Sequence, residues 1–151
     1  MVSPELLRRY PYFGGLSVEQ ISAFAKTANE KEIEKDYFFF KEDDLLDSFY
    51  LLIEGEVGIV TEIPRKSLFV QSSTIVPGEV FGWSGLVPPH KATASAKALT
   101  TCKIVEFDAP AIRQKFQEDC GLGFLMMQRT AAIIRERLKD LRIESLASRV
   151  D

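Results

Sequence analysis

The chain has 151 residues, an apolar content of 46% and a formal net charge of −3, a balance typical of one ordinary globular domain. The acidic surplus disfavours a polyanion binder that works through bulk charge. Two cysteines and a single histidine exclude a disulfide scaffold, a four-cysteine metal site and a site with two or three histidine ligands, and no metal site is predicted. No apolar run is long enough to span a membrane and no export signal is present, so we expect a cytoplasmic protein without membrane contact.

Residues 1–31 are predicted to be helical. Ser17 and Gln20 have the spacing of a capping box, in which Ser17 is the N-cap and Gln20 is the third helical residue. Apolar residues then follow at helical spacing, which predicts a helix over 18–30.

Residues 32–107 change to a strand pattern. Short runs rich in Phe, Val, Ile and Tyr alternate with Gly, Pro and Asp turn signals, and residues 62–67, which include Pro64, are predicted to form a hairpin turn. The spacing favours an antiparallel sandwich or barrel. The predicted strands are 37–40, 49–53, 57–61, 68–72, 92–98 and 102–107.

Residues 108–151 are predicted to be helical again. Asp108 is the expected N-cap, Gly121 and Gly123 mark a break, and a last helix is predicted over about 122–147. Five apolar residues of this helix are spaced 4, 3, 4 and 3 and form a heptad seam, which indicates either packing onto the barrel or a homodimer coiled coil. The seam residues are Met127, Ala131, Ile134, Leu138 and Leu141. We see no repeat or linker, so residues 1–151 are predicted to be a single domain.

The glycine-rich segment 76–95 carries the candidate binding site. One helical turn at 82–86 between strands would point backbone N–H groups outward, where they suit an anion. His90 or Lys91 would add positive charge and Thr93 a hydroxyl, so a small phosphate ligand fits the pattern. The alternative is a barrel corner without a ligand, with Trp83 in the core. The candidate ligand-binding residues are Gly82, Trp83, Ser84, Gly85, Leu86, His90, Lys91, Ala92 and Thr93.

From about residue 6 to residue 141 the chain resembles the cyclic nucleotide-binding domain family, the sensor domain of Crp/Fnr-type regulators. The similar blocks lie at 12–17, 47–57, 77–82 and 92–96, followed by the long last helix. The resemblance implies a mainly β fold with flanking helices: a double-stranded β-helix, or jelly-roll barrel, followed by a long C-terminal dimer helix. The resemblance also favours a homodimer coiled coil over core packing as the role of the heptad seam. It further implies that Arg142 approaches the bound base.

The chain departs from the family at two positions of the phosphate-binding cassette. Trp83 stands where the family has the glutamate that holds the ribose 2′-hydroxyl, and His90 stands in the slot of the arginine that pairs with the cyclic phosphate, with Lys91 next. Indole cannot accept a hydrogen bond, and lysine lacks the bidentate fork of arginine. Each lost contact costs about 1.5–3 kcal/mol. Gly78 and Glu79 are a second Gly-Glu pair, but the cassette glutamate of the family follows Phe-Gly.

These features predict a non-enzymatic regulatory module that senses a cyclic nucleotide or another small phosphate or anionic ligand and transmits the signal through its C-terminal helix. We expect a homodimer with a regulatory protein partner, and no direct DNA binding because no helix-turn-helix domain follows the last helix. The alternative is a degenerate domain in which Trp83 fills the pocket and the chain acts as a protein-interaction module. An enzyme ranks last because no paired catalytic acid and base is present.

Overall fold

The N-terminal segment is helical in the computed structural model, which describes residues 1–66 and 68–150. Helix α1 (Pro4–Arg8) is followed by a 3₁₀ turn (Pro11–Phe13) and helix α2 (Val18–Lys26). The predicted capping box is confirmed, since the Gln20 N–H donates to Ser17 Oγ at 3.1 Å and the Ser17 N–H donates to Gln20 Oε1 at 2.9 Å. Helix α2 ends at Lys26, four residues before the expected end at residue 30.

Within the described residues, eight strands form two antiparallel four-stranded sheets, which confirms the predicted jelly-roll class. The first sheet has the order β1-β8-β3-β6 and the second β2-β7-β4-β5. The strands are β1 (Ala28–Ile33), β2 (Phe38–Phe40), β3 (Ser48–Glu54), β4 (Val57–Ile63), β5 (Leu68–Ile75), β6 (Val80–Phe81), β7 (Ser95–Ala98) and β8 (Cys102–Asp108).

Two strands were not predicted, β1 and β6, so the barrel begins at residue 28 and not at residue 32. Strand β1 pairs along its whole length with β8, from Ala28 opposite Phe107 to Ile33 opposite Cys102. Its interior residues are polar and exposed, so they carry no apolar alternation. The cross-strand pairing stabilises this strand, and a local pattern could not reveal it.

The two central strands of the first sheet, β3 and β8, are buried on both faces. The core has two hydrophobic clusters, one between the first sheet and the helices and one inside the barrel. Along β3, Phe49 and Leu51 belong to the cluster under the helices, whereas Tyr50 and Leu52 belong to the cluster inside the barrel. In β8, Phe107 lies on the helix side. Burial on both faces is why the β3 sequence is a continuous apolar run.

The second sheet closes the barrel with one face toward solvent. In β7, Ala96 and Ala98 are fully buried, whereas Lys97 between them is only half-buried and pairs with Asp36. Strands β4 and β5 pair antiparallel up to Ile63 opposite Leu68, as the predicted hairpin requires. Its residue Ser67 lies outside the described residues.

The C-terminal segment contains helices α3 (Ala109–Glu118) and α4 (Cys120–Val150). Asp108 caps α3 as predicted. The break between the helices is at Asp119, whose carboxylate accepts from the Leu122 N–H at 3.1 Å, and not at Gly121 and Gly123. Gly123 lies inside α4 where a Cβ would come within 3.0 Å of Phe116 Cβ, so this glycine permits close packing of the two helices. Helix α4 has 31 residues and is about 46 Å long.

Candidate functional site

The cassette is a single 3₁₀ turn, Trp83–Gly85, that directly follows β6. The turn begins at Gly82, which has a φ of +78°, a left-handed conformation that favours glycine. A Cβ on Gly85 would lie 2.8 Å from the Ser48 carbonyl oxygen. The turn is therefore wedged against β3, and the predicted helical turn between two strands is confirmed.

Only part of the predicted backbone donor set is free. The Gly85 N–H donates to the Gly82 carbonyl at 3.0 Å and the Leu86 N–H to the Trp83 carbonyl at 2.8 Å, so the turn itself uses both donors. The N–H groups of Gly82, Trp83 and Ser84 have no acceptor among the described residues. The expectation of free donors along 82–86 is thus wrong for Gly85 and Leu86.

Replacing Gly85 by alanine is expected to destabilise the fold by about 1–3 kcal/mol, because the new methyl group would meet the rigid Ser48 carbonyl and, at 3.2 Å, Ala109 Cβ. The matched control is Gly121→Ala. A Cβ added at position 121 of α4 would meet only Asp119 Oδ1, at 3.6 Å. We therefore expect Gly121→Ala to raise the free energy of unfolding by about 0.5–1 kcal/mol. Urea unfolding of both variants checks the pair. A Gly85→Ala variant as stable as the starting protein would show that the turn is not wedged.

The residues after the turn do not form the positively charged site that the sequence predicts. His90 has a φ of +64°, and its Nδ1–H donates to the Ser84 carbonyl oxygen at 3.0 Å, so its ring braces the turn. Lys91 is exposed, and its backbone forms a bridge with Leu45. Ala92 is part of the barrel core, and Leu86 packs in the cluster under the helices. Of the predicted residues that follow the turn, Thr93 alone lines the small cavity beside the Trp83 indole.

The cavity beside the indole is small. Its volume is about 30 Å³, the space of roughly one water molecule. Pockets for drug-sized ligands occupy about 300–1,000 Å³. The lining residues are Phe40, Ile59, Gly82, Trp83, Ser84, Thr93 and Ala94.

Helix α4 reaches the cassette through Arg137. The guanidinium carbon of Arg137 lies 5.4 Å from the centroid of the Trp83 ring, within cation–π range. Its Nη1 donates to Ser73 Oγ of β5 at 3.1 Å. Burial lowers the pKa of Arg137, while Glu79 and Asp140 act in the opposite direction.

A larger cavity of about 610 Å³ lies between α4 and β5 and includes Arg137 in its wall. Three hydroxyl residues of β5 and four carboxylates also line it. Glu79 of the second Gly-Glu pair is one of these carboxylates, and its Oε1 also accepts from the Val76 N–H at 2.9 Å. The polar lining is Ser72, Ser73, Thr74, Glu79, Glu136, Arg137, Asp140 and Glu144.

Arg142, the helix residue expected near a ligand, is exposed and is not among the residues that line these two cavities. Arg137, which is not among the predicted site residues, contacts Trp83 and lines the larger cavity instead. A signal was present, because Met126, Thr130, Ile133 and Arg137 are spaced 4, 3 and 4 and share one face of the helix. Met126 and Thr130 are buried on that face.

The predicted heptad seam lies on a different face of α4. Met127 packs partly against the core, whereas Leu138 and Leu141 are 47% and 42% exposed. Phe124, three residues before Met127, extends the seam and is 68% exposed. Ala131 is exposed and Ile134 is half-buried.

No helix in the described parts of the chain is long and apolar enough to cross a membrane. Within residues 1–66 and 68–150, no three His, Cys, Asp or Glu side chains are grouped so that they could hold a metal ion.

The chain is thus a jelly-roll domain with a cassette turn after β6 and a long helix that follows the barrel. Residues 30–119, more than half of the chain, match the family "Cyclic nucleotide-binding domain". The chain belongs to this family.

The chain is also similar to a solved structure and to a curated regulator of this kind. A solved structure of a putative cyclic nucleotide-binding protein from Geobacter metallireducens GS-15 is 33% identical, with a TM-score of 0.82 over 91% of this chain and 99% of that chain. The CRP-like cAMP-activated global transcriptional regulator of Mycobacterium tuberculosis is 28% identical over 111 residues, which are 72% of this chain and 48% of the regulator. The chain spans about half the length of this curated relative.

Proposed function

We propose that this chain is a non-enzymatic regulatory module that binds a small anionic ligand, a cyclic nucleotide in the first place, and transmits binding through α4. The contact that supports this most directly joins Arg137 of α4 to Trp83 of the cassette. A ligand that moves the indole would change the packing of the helix through this contact. The free thiols of Cys102 and Cys120 suit a reducing, cytoplasmic compartment.

The proposed module is a homodimer that presents α4 to a second copy and to a regulatory partner. The exposed apolar side chains of the seam, Phe124, Leu138 and Leu141, support this interface. Their spacing follows a heptad, the pattern with which two helices pack against each other.

A titration that follows Trp83 tests the proposed function. Trp83 is the only tryptophan of the chain, so its fluorescence reports on the cassette. The ligands are cAMP, cGMP, and adenosine as the control without phosphate. At 100 times its dissociation constant, a ligand adds about 2.7 kcal/mol, which raises the melting temperature by about 5–11 °C in a domain of this size.

We expect saturable changes in fluorescence and melting temperature with one cyclic nucleotide and none with adenosine. If neither signal changes with cAMP or cGMP, the nucleotide assignment is wrong.

The second candidate is a protein-interaction module with a closed pocket. The cavity of about 30 Å³ beside the indole favours it, because a nucleotide does not fit there unless Trp83 moves. In this case α4 is the working surface, and none of the ligands changes the melting temperature.

A further inference from the structure

Arg137 is the one charged residue on the barrel-facing stripe of α4 formed by Met126, Thr130, Ile133 and Arg137. Its Nη1 donates a hydrogen bond to Ser73 Oγ. Its Nε is buried and has no hydrogen-bond partner among the described residues. A buried donor without a partner is uncommon and calls for an explanation.

The charge of Arg137 is also incompletely compensated. No carboxylate in the described parts of the chain lies within ion-pair distance of its guanidinium. Glu79 and Asp140 are close enough to favour its charged form, but desolvation has the larger effect and lowers its pKa. Removing a cation from water without a paired anion costs free energy. An anionic ligand would supply the missing partner.

The cavity between α4 and β5 limits the ligand class. Arg137 is the only cationic side chain among its lining residues, whereas four carboxylates line the same space. A ligand with several negative charges would be repelled. A single negative charge at Arg137, combined with hydrogen-bond donors for the carboxylates and the β5 hydroxyls, fits this lining.

We propose that Arg137, on α4, is the anion-binding residue of this domain and holds a singly charged phosphate diester or carboxylate together with Ser73. The inference rests on the proposed function and gives its site a location: the charge is held in the α4–β5 cavity and not by His90 or Lys91. His90 is committed to the Ser84 carbonyl and Lys91 is exposed. Because the anion partner belongs to α4, ligand binding acts on the helix directly.

The test compares Arg137→Gln and Arg137→Lys with two control variants, Arg142→Gln and Lys91→Gln. Arg142→Gln removes the same charge from an exposed position of the same helix. The probes are cAMP, cGMP, inorganic phosphate and acetate, and binding is followed by calorimetry as well as fluorescence, because Arg137 itself contacts the indole. Loss of one charge-assisted contact raises the dissociation constant about tenfold to hundredfold. We expect this for Arg137→Gln, a smaller loss for Arg137→Lys, and none for the controls.

The melting temperature without ligand separates a binding role from a structural one. If Arg137 served the fold alone, Arg137→Gln would lower this temperature and leave the affinity of the folded fraction unchanged. We expect an unchanged or higher melting temperature, because the buried, unpaired Nε is removed. Should Arg137→Gln fail to fold, Arg137→Lys carries the affinity comparison.

Each outcome decides between the two proposals. If a nucleotide binds Arg137→Gln as tightly as the unmodified protein, the role of Arg137 is refuted and the proposed function stands. If phosphate or acetate binds in an Arg137-dependent way and neither nucleotide binds, the role of Arg137 stands and the nucleotide assignment falls. If no probe binds the unmodified protein, both fall.

Discussion

Replacing Phe107 by alanine is expected to lower the free energy of unfolding by about 3–5 kcal/mol, the cost of deleting a fully buried phenyl ring. Phe107 is fully buried in β8 and stacks on Phe49 with ring centroids 4.6 Å apart. It also contacts Phe13 at 5.5 Å and Phe24 at 6.0 Å. The ring thus joins the first sheet to the N-terminal helices, and its loss leaves a cavity that these elements cannot fill.

Thermal and urea unfolding measure this effect. A loss of this size lowers the melting temperature by about 6–20 °C. The matched control is Phe69→Ala in β5, where the ring is 56% exposed, so we expect a change within about 0.5 kcal/mol. Equal losses in the two variants would contradict the assignment of Phe107 to the centre of the core.

Placing two glutamates on the seam of α4, Leu138→Glu with Leu141→Glu, is expected to convert the proposed dimer into monomers. Burial of a leucine side chain contributes about 1.5–3 kcal/mol, so two lost contacts in each protomer raise the dimer dissociation constant at least a hundredfold, by about 3 kcal/mol or more. Both residues are substantially exposed in the single chain, so the fold itself does not depend on them.

Sedimentation velocity over a range of concentrations measures the change of mass. The control Lys139→Glu alters the net charge by the same two units at an exposed position on the solvent face of α4, and should leave the dimer intact. A starting protein that is monomeric at every concentration would refute the dimer. A double variant that stays dimeric would place the interface elsewhere.

The parts of the fold that sequence reasoning predicted have local causes. Ser17 and Gln20 complete a capping box within four residues, and Asp108 caps the next helix through the N–H three residues on. The continuous apolar run of β3 and the glycines of the cassette are local in the same way. Patterns of this kind are visible in a short window because the interacting groups are neighbours in the chain.

The candidate site was predicted only in part, because its main contacts join distant segments of the chain. The Arg137–Trp83 contact spans 54 positions and the Arg137–Ser73 hydrogen bond spans 64. His90 was expected to supply charge, but its ring lies on the Ser84 carbonyl because the chain turns back at this point with a positive φ. Which charged residue of α4 meets the cassette depends on the rotation of the helix on the barrel, and that rotation follows from the packing of Leu122 and Met126.

The sequence alone determined the class of fold, the family, the position of the cassette and the seam of the last helix, because each depends on periodicity, capping or an ordered set of motifs. The tertiary structure decided that the barrel begins at β1, that the cassette cavity has a volume of only about 30 Å³, and that Arg137 rather than Arg142 contacts Trp83. These properties arise from pairing and packing between residues far apart in the chain, and their free energies depend on where whole elements lie rather than on local sequence.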